Sequence, residues 1–427
     1  MPSIRVRAST LSGQIKAPPS KSHTLRAILF ASLAQGQSRI DNCLCSPDTL
    51  AMVAACRQFG ATITEQGETL LVDGVAGRLQ VAPDSIIDAG NSGQVLRYVA
   101  AVMATQSQSV TITGDESICT SRPVRPYIDA FPQLHSTCVS LSGNGYAPLQ
   151  IQGPFEGNTI RVDGTDSQIV TGLCIAAVLR QGDTVIEVDN AGEKPWIDLT
   201  VNWLQRLGVS VQRQGYELFR ITGCMLSAFN YTVPGDFSSA AFPCAAALVT
   251  QSPLLIEGVD WDDTQGDKAL FYALKRMGAC LEMHHDNRTL SVDPSVWSLS
   301  DALDINDYID AITILAVLGC YASSPLRITG AAIAREKESD RIEAICAELS
   351  KMGARIEATA DGLVVQPSSL RGAHVRSHHD HRIAMSLAVA ALAAEGDTVI
   401  EDVACIQKSY PQFTPQFQAL GADIEVL

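Results

Sequence analysis

Lys21 stands between two serines just after a pair of prolines, in Pro18-Pro19-Ser20-Lys21-Ser22, and Arg26 follows Ser22 by four residues. The prolines end an extended segment and a serine can cap the helix that begins there, so Arg26 falls on the face of Ser22 about one turn further on. Cations gather again in Arg335-Glu336-Lys337-Glu338-Ser339-Asp340-Arg341, with Lys337 and Arg341 four apart and Glu338 beside them. Both are expected at a helix start, where the dipole disfavours cations unless an anion lies between them. Arg382 closes Ser377-His378-His379-Asp380-His381-Arg382 and reads as a bidentate fork for carboxylate or phosphate. Arg122 and Lys408 each stand shortly before a proline at an expected helix start. Asp310, among such cations, would stay ionised and could take a proton from a substrate hydroxyl; Glu338 could shuttle one. The bland alternatives are a solvated charged helix face, or a metal held by His378, Asp380 and His381. Neither a metal nor a cofactor is expected.

These groups are positioned by a repeat. Six times a short strand runs into a polar knot and then into a small-residue, apolar helix, with knots at Ser22, Ser92, Ser167, Ser238, Asp310 and His381. Successive knots lie 70, 75, 71, 72 and 71 residues apart, which marks one supersecondary unit used six times. Each helix N-terminus brings free N–H groups and a positive dipole end, suited to anions. A second phrase recurs in step: amphipathic helices end in Phe59-Gly60-Ala61, Leu134-His135-Ser136, Leu207-Gly208-Val209, Met277-Gly278-Ala279, Met352-Gly353-Ala354 and Leu420-Gly421-Ala422. The glycine suits a left-handed helix cap. The unit therefore reads β-α-β-α-β-β. The sixth copy stops one strand short at Leu427, and the alternating segment Ser3–Ala8 can supply it, so the chain ends are expected in one sheet. Six units divide into two lobes of three, residues 18–235 and residues 1–17 with 236–427.

With 46% hydrophobic and 18% charged residues, 427 residues can bury large cores. The net charge of −15 makes nucleic acid and anionic membrane poor partners. Twelve scattered cysteines without a C-x-x-C pair read as reduced thiols. No basic-then-apolar leader or membrane-length apolar run is present, so a soluble cytoplasmic protein is expected. Walker, dinucleotide and G-x-S-x-G motifs are absent from the sequence, leaving nucleotide hydrolysis and serine-hydrolase chemistry unsupported.

Taken in order, the motifs are P-P-S-K-S…R at 18–26, G-N-S-G at 90–93, R-P at 122–123, S-Q at 167–168 and G-D-F-S-S-A at 235–240. They continue with D-x-N-x-x-x-D at 304–310, K-E-S-D-R at 337–341, D-H-R-x-A-M at 380–385 and K-S-Y-P at 408–411. On these the chain resembles the enolpyruvyl transferases from end to end, and within them the branch that acts on shikimate 3-phosphate. The resemblance implies an α/β fold, a two-lobed inside-out α/β barrel of six repeats, three per lobe, hinged by two crossovers. It implies a cytoplasmic monomer without cofactor, whose partners are two small molecules. A substrate hydroxyl adds to carbon 2 of phosphoenolpyruvate while carbon 3 is protonated, and phosphate then leaves. Carried over residue by residue, Lys21, Gly93, Arg122, Gln168, Arg341, Arg382 and Lys408 meet phosphoenolpyruvate. Lys21, Ser22, Arg26, Ser167, Gln168, Asp310 and Lys337 meet shikimate 3-phosphate. Asp310 is the implied base, Glu338 and Lys408 are candidates for proton delivery, and Lys21 joins them as catalytic.

Departures fall at the acceptor. Asp166 replaces a serine of the family pattern in a loop one residue shorter, Glu193 and Trp196 replace a serine and a tyrosine, and Ile333 replaces an asparagine. Asp166 is expected to cap its own helix through the N–H of Gln168 or Ile169, and Glu193 to be balanced by Lys194. The UDP-N-acetylglucosamine branch places a reactive cysteine where Ser117 stands, with Cys119 two residues on, which argues against it. RNA cyclase shares the repeat without these basic motifs. A different acceptor, or a non-catalytic phosphoenolpyruvate-binding homologue, is the remaining alternative.

Overall fold

Helices with no polar face build the interior. Lys21–Leu33 is buried from Ser22 onward and Phe237–Val249 at every residue. Gly93–Met103, Ser167–Val178, Ile312–Tyr321 and His381–Ala391 are nearly so. The structure is a computed structural model and describes residues 2–298 and 302–427. The chain folds as two compact units, Lys21–Val233 and the residues before Lys21 together with Pro234–Leu427.

Among the described residues, each unit carries three four-stranded sheets of one pattern. In Thr159–Asp163, Asp183–Asp189, Leu218–Thr222 and Ser210–Gln214, the first two strands are parallel and the others antiparallel. A parallel pair needs a crossover, and the buried helix Ser167–Val178 supplies it between the first two strands. The sheet of Ser85–Asp88, Val110–Thr113, Leu149–Gln152 and Thr137–Ser140 repeats this, as does that of Leu303–Asp304, Leu326–Thr329, Gly362–Gln366 and Arg355–Thr359.

Three sheets are completed by distant chain. Ile4–Arg7 lies antiparallel between Thr398–Glu401 and Asp423–Val426. Gly13–Lys16 runs parallel to Leu254–Glu257, and Asn230–Thr232 parallel to Gln35–Asp41. The strand ahead of helix Lys21–Leu33 thus sits in the sheet of the fourth repeat, and the strand ahead of Phe237–Val249 in that of the first. Residues 18–20 and 234–235, which the sequence reading assigned to the first lobe, belong to the other unit. The cause is local pairing: Ser20 N donates to Pro234 O and Asp236 N to Pro18 O, each at 2.8 Å.

Five of the helix-ending glycines have positive φ, 101° at Gly60 for example. In the second copy His135 takes that conformation itself, at φ 59°, and donates its N–H to Pro132 O. Among the described residues no helix is long and apolar enough to cross a membrane.

Candidate active site

In the unit that contains Pro234–Leu427, four elements converge. Asp310 lies in the 3₁₀ segment Asn306–Ala311, which precedes helix Ile312–Tyr321, and that helix has no side-chain cap. Freed from capping, the Asp310 carboxylate accepts from Arg341 Nη1 at 2.6 Å and from Arg382 Nη2 at 2.8 Å. Arg341 opens helix Arg341–Lys351, and its other nitrogens reach Glu338 Oε2 at 2.6 Å and Asp380 Oδ2 at 2.7 Å. Lys408, at the end of the 3₁₀ segment Val403–Lys408, donates to Glu338 Oε1 at 2.6 Å.

Lys337 is buried near Asp310. It precedes the helix that Arg341 begins, which corrects the expectation that both stand at a helix start. Burial alone would raise the Asp310 carboxyl, but Arg382, Arg341 and Lys337 outweigh burial and hold it well below the usual carboxylate range. Burial likewise opposes the charge on Arg341, and Asp380, Glu338 and Asp310 more than restore it. Carboxylates and cations alternate through this cluster, so each bound anion competes with an internal one. The Asp310 side chain is still 22% exposed, so a hydroxyl can reach it.

In the unit Lys21–Val233 a second cluster surrounds the N-termini of three buried helices. Lys21 pairs with Asp48 Oδ2 at 3.1 Å, and Gln94 Nε2 donates to Ser22 Oγ at 3.3 Å and to Tyr98 Oη at 3.2 Å. Gly93 is tightly enclosed: a Cβ there would stand 2.9 Å from Arg97 Nη1, 3.3 Å from Gln168 Oε1 and 3.4 Å from Arg122 Nη1. Gly93, Arg122 and Gln168, far apart in sequence, are therefore neighbours. Arg97 joins them, donating to Gln168 Oε1 at 3.2 Å and to Pro123 O at 3.1 Å, and pairing with Asp166 Oδ2 at 3.0 Å.

One expectation changes here. Arg26 is only 1% exposed, and its fork goes to Thr200 Oγ1 at 3.0 Å, Ser22 O at 3.1 Å and Trp196 O at 3.4 Å, with Tyr98 beneath. These bonds brace the helix start, because buried carbonyls must be satisfied. Asp166 caps its helix through Gln168 N at 2.9 Å, as expected. Glu193, however, turns to Ser167 rather than to Lys194, accepting from Ser167 N at 3.3 Å and Ser167 Oγ at 3.2 Å. Lys194 instead lies over the Tyr216 ring.

Sequence reasoning missed Arg97, Asp48 and the pairing role of Asp380. Arg97 had a signal, a lone cation inside an apolar helix four residues after Gly93. Asp48 had a weaker one, as an acid in the first turn of helix Pro47–Gln58, where it also suits the dipole. The histidines go separate ways: His378 Nε2 contacts buried Glu348 at 2.7 Å and His381 opens a buried helix. Among the described residues no group of three or more His, Cys, Asp or Glu side chains could hold a metal.

Comparisons with known proteins agree in direction. The family model described as EPSP synthase (3-phosphoshikimate 1-carboxyvinyltransferase) matches residues 6–417. The chain is 42% identical over 428 residues to a 3-phosphoshikimate 1-carboxyvinyltransferase of Chlamydia felis, covering 100% of this chain and 95% of the relative. With the protein of that name from Chlamydia trachomatis serovar L2 it shares 41% over 417 residues, covering 96% of this chain and 93% of the relative. A solved structure of EPSP synthase from Acinetobacter baumannii is similar with a TM-score of 0.80 at 25% identity, covering 100% of both chains.

Proposed function

The chain belongs to the EPSP synthase family, and on that premise we propose how its two clusters divide the reaction. The activity is that of a 3-phosphoshikimate 1-carboxyvinyltransferase: the enolpyruvyl group of phosphoenolpyruvate passes to the 5-hydroxyl of shikimate 3-phosphate, and phosphate is released. The hydroxyl oxygen bonds to carbon 2, its proton goes to Asp310, and carbon 3 gains a proton. The carbon 2–phosphate oxygen bond then breaks and carbon 3 gives its proton back, so the product regains its double bond.

In this reading Lys21, Arg122, Gln168, Arg341, Arg382 and Lys408 hold phosphoenolpyruvate, and Gly93 leaves room for it. Lys21, Ser22, Arg26, Ser167, Gln168, Asp310 and Lys337 meet the acceptor, Arg26 also bracing Ser22. Glu338 and Lys408, a directly bonded pair at 2.6 Å, exchange the proton of carbon 3.

One observation carries the assignment of the base: Arg341 and Arg382 both hold Asp310. A carboxylate this strongly stabilised is ionised but weakly basic. Phosphoenolpyruvate offers the same guanidiniums a carboxylate and a phosphate. As they turn to it, Asp310 loses stabilisation and its proton affinity rises toward one that suits a base. Substrate binding thus activates the base.

The reading includes a cytoplasmic monomer that binds neither nucleic acid nor membrane; the charge of −15 supports the exclusion of polyanions. Sedimentation of the pure chain tests the monomer. Steady-state release of phosphate from phosphoenolpyruvate tests the reaction. Release that needs shikimate 3-phosphate is expected, and its absence would overturn the reading.

A further inference from the structure

Glu193 ends the loop between strand Asp183–Asp189 and helix Lys194–Arg206. Its backbone is left-handed, φ 45° and ψ 43°, an uncommon conformation for a residue with a side chain and one kept only where the surroundings enforce it. The side chain is buried, 4% exposed, and does not cap the helix it precedes. It reaches instead to helix Ser167–Val178, where one oxygen takes both the N–H and the hydroxyl of Ser167. The next amide, that of Gln168, goes to Asp166. The first two amides of this helix and its serine hydroxyl are thus committed to carboxylates of the chain itself.

Asp166 is tied through its second oxygen to buried Arg97, so its charge is balanced in place and it acts as a cap. Glu193 occupies the position an incoming anion would take, at the positive end of the helix dipole with a hydroxyl donor alongside.

We propose that Glu193 is a built-in competitor for the phosphate of the acceptor, and thereby a specificity-determining residue. The proposal rests on reading Ser167 and Gln168 as acceptor-binding groups. The Glu193 carboxylate fills the helix N-terminus, and shikimate 3-phosphate displaces it. A simple anion gains only what Glu193 gives up, whereas the acceptor gains further contacts through Lys21 and Ser22 and so wins the exchange. The site therefore rejects inorganic phosphate, a product of the reaction, more strongly than it rejects its substrate.

The test measures the Michaelis constants of both substrates, and the inhibition constant of inorganic phosphate against shikimate 3-phosphate, in the native chain, Glu193→Gln and Glu193→Asn. Glutamine keeps the shape without the charge; asparagine tolerates the left-handed backbone and guards against a folding failure of the first variant. Removing one competing charge-assisted pair is expected to lower the acceptor constant roughly 3- to 10-fold and the phosphate inhibition constant at least as much, with the phosphoenolpyruvate constant moving less than about twofold. A merely structural role would move the melting temperature and leave the phosphate constant alone. An unchanged or raised acceptor constant in folded variants would overturn the proposal while leaving the reaction intact. Failure of the native chain to release phosphate would instead overturn the proposed function.

Discussion

Arg97 Nη2 stands 3.0 Å from Asp166 Oδ2, and that ion pair joins the buried helix Gly93–Met103 to the N-terminus of its neighbour Ser167–Val178. Arg97 is 1% exposed, so it cannot turn to water if its partner is removed. The pair lies beside Gly93, Arg122 and Gln168 and sets their spacing.

Asp166→Asn keeps an effective cap but removes the charge that Arg97 faces. Breaking one side of a buried pair is costly, and we expect a loss of roughly 3 kcal/mol. Urea unfolding checks this through a lower midpoint at unchanged slope. The acceptor Michaelis constant should change little, because Asp166 acts as a cap and not as a contact to the ligand.

Gly93→Ala puts a methyl group 2.9 Å from Arg97 Nη1. A free arginine tip would swing away, but this one is held by Asp166, Gln168 and Pro123 O. The strain passes to Gln168 and Arg122, and an overpacking cost of about 1–3 kcal/mol is expected to appear in ligand binding. Steady-state kinetics should show the phosphoenolpyruvate constant rising about tenfold with a smaller change in turnover.

Asp310→Asn should lower turnover by about 10²–10⁴ while leaving phosphoenolpyruvate binding intact or tighter, since Arg341 and Arg382 are released from a competing carboxylate. Glu338→Gln should also fall chiefly in turnover. Both carboxylates share the Arg341 guanidinium, so the double variant is expected to lose less than the product of the single effects. An Asp310 variant with near-native turnover would remove it as the base.

Acid stability follows from the same carboxylate. The folded Asp310 keeps its charge to a lower pH than it does unfolded, so between those two values the unfolded chain binds more protons. Its stabilisation is therefore fully present above about pH 4, the ordinary range of an aspartate, and is lost as the pH falls below it. Denaturant midpoints between pH 5 and pH 3 should fall less steeply for Asp310→Asn than for the native chain. Equal slopes would show that the unfolded chain feels the same field.

Much of this was legible in one dimension because it repeats or acts locally. The intervals near 71 residues announced six units, and the glycines after each amphipathic helix marked their ends. Helix starts fell within two residues of the knots: Asp166 caps its helix as expected, and Asp236 and Asp380 cap theirs just ahead of the knot positions Ser238 and His381. Capping is a contact over two or three residues, so spacing locates it closely. The identity of the cations was also open to view, since so many fixed charges in polar knots imply an anion. What spacing could not say is which carboxylate answers which cation. Asp310 meets Arg341 and Arg382 from 31 and 72 residues away, and Arg97 meets Asp166 across two helices. Those partners are chosen by where buried helices end in space. The same holds for Glu193, whose side chain passes over adjacent Lys194 for Ser167, 26 residues back, because a left-handed backbone turns it inward. Types and period are properties of the chain; the pairing of charges belongs to the packed fold, where burial makes every unmatched group costly.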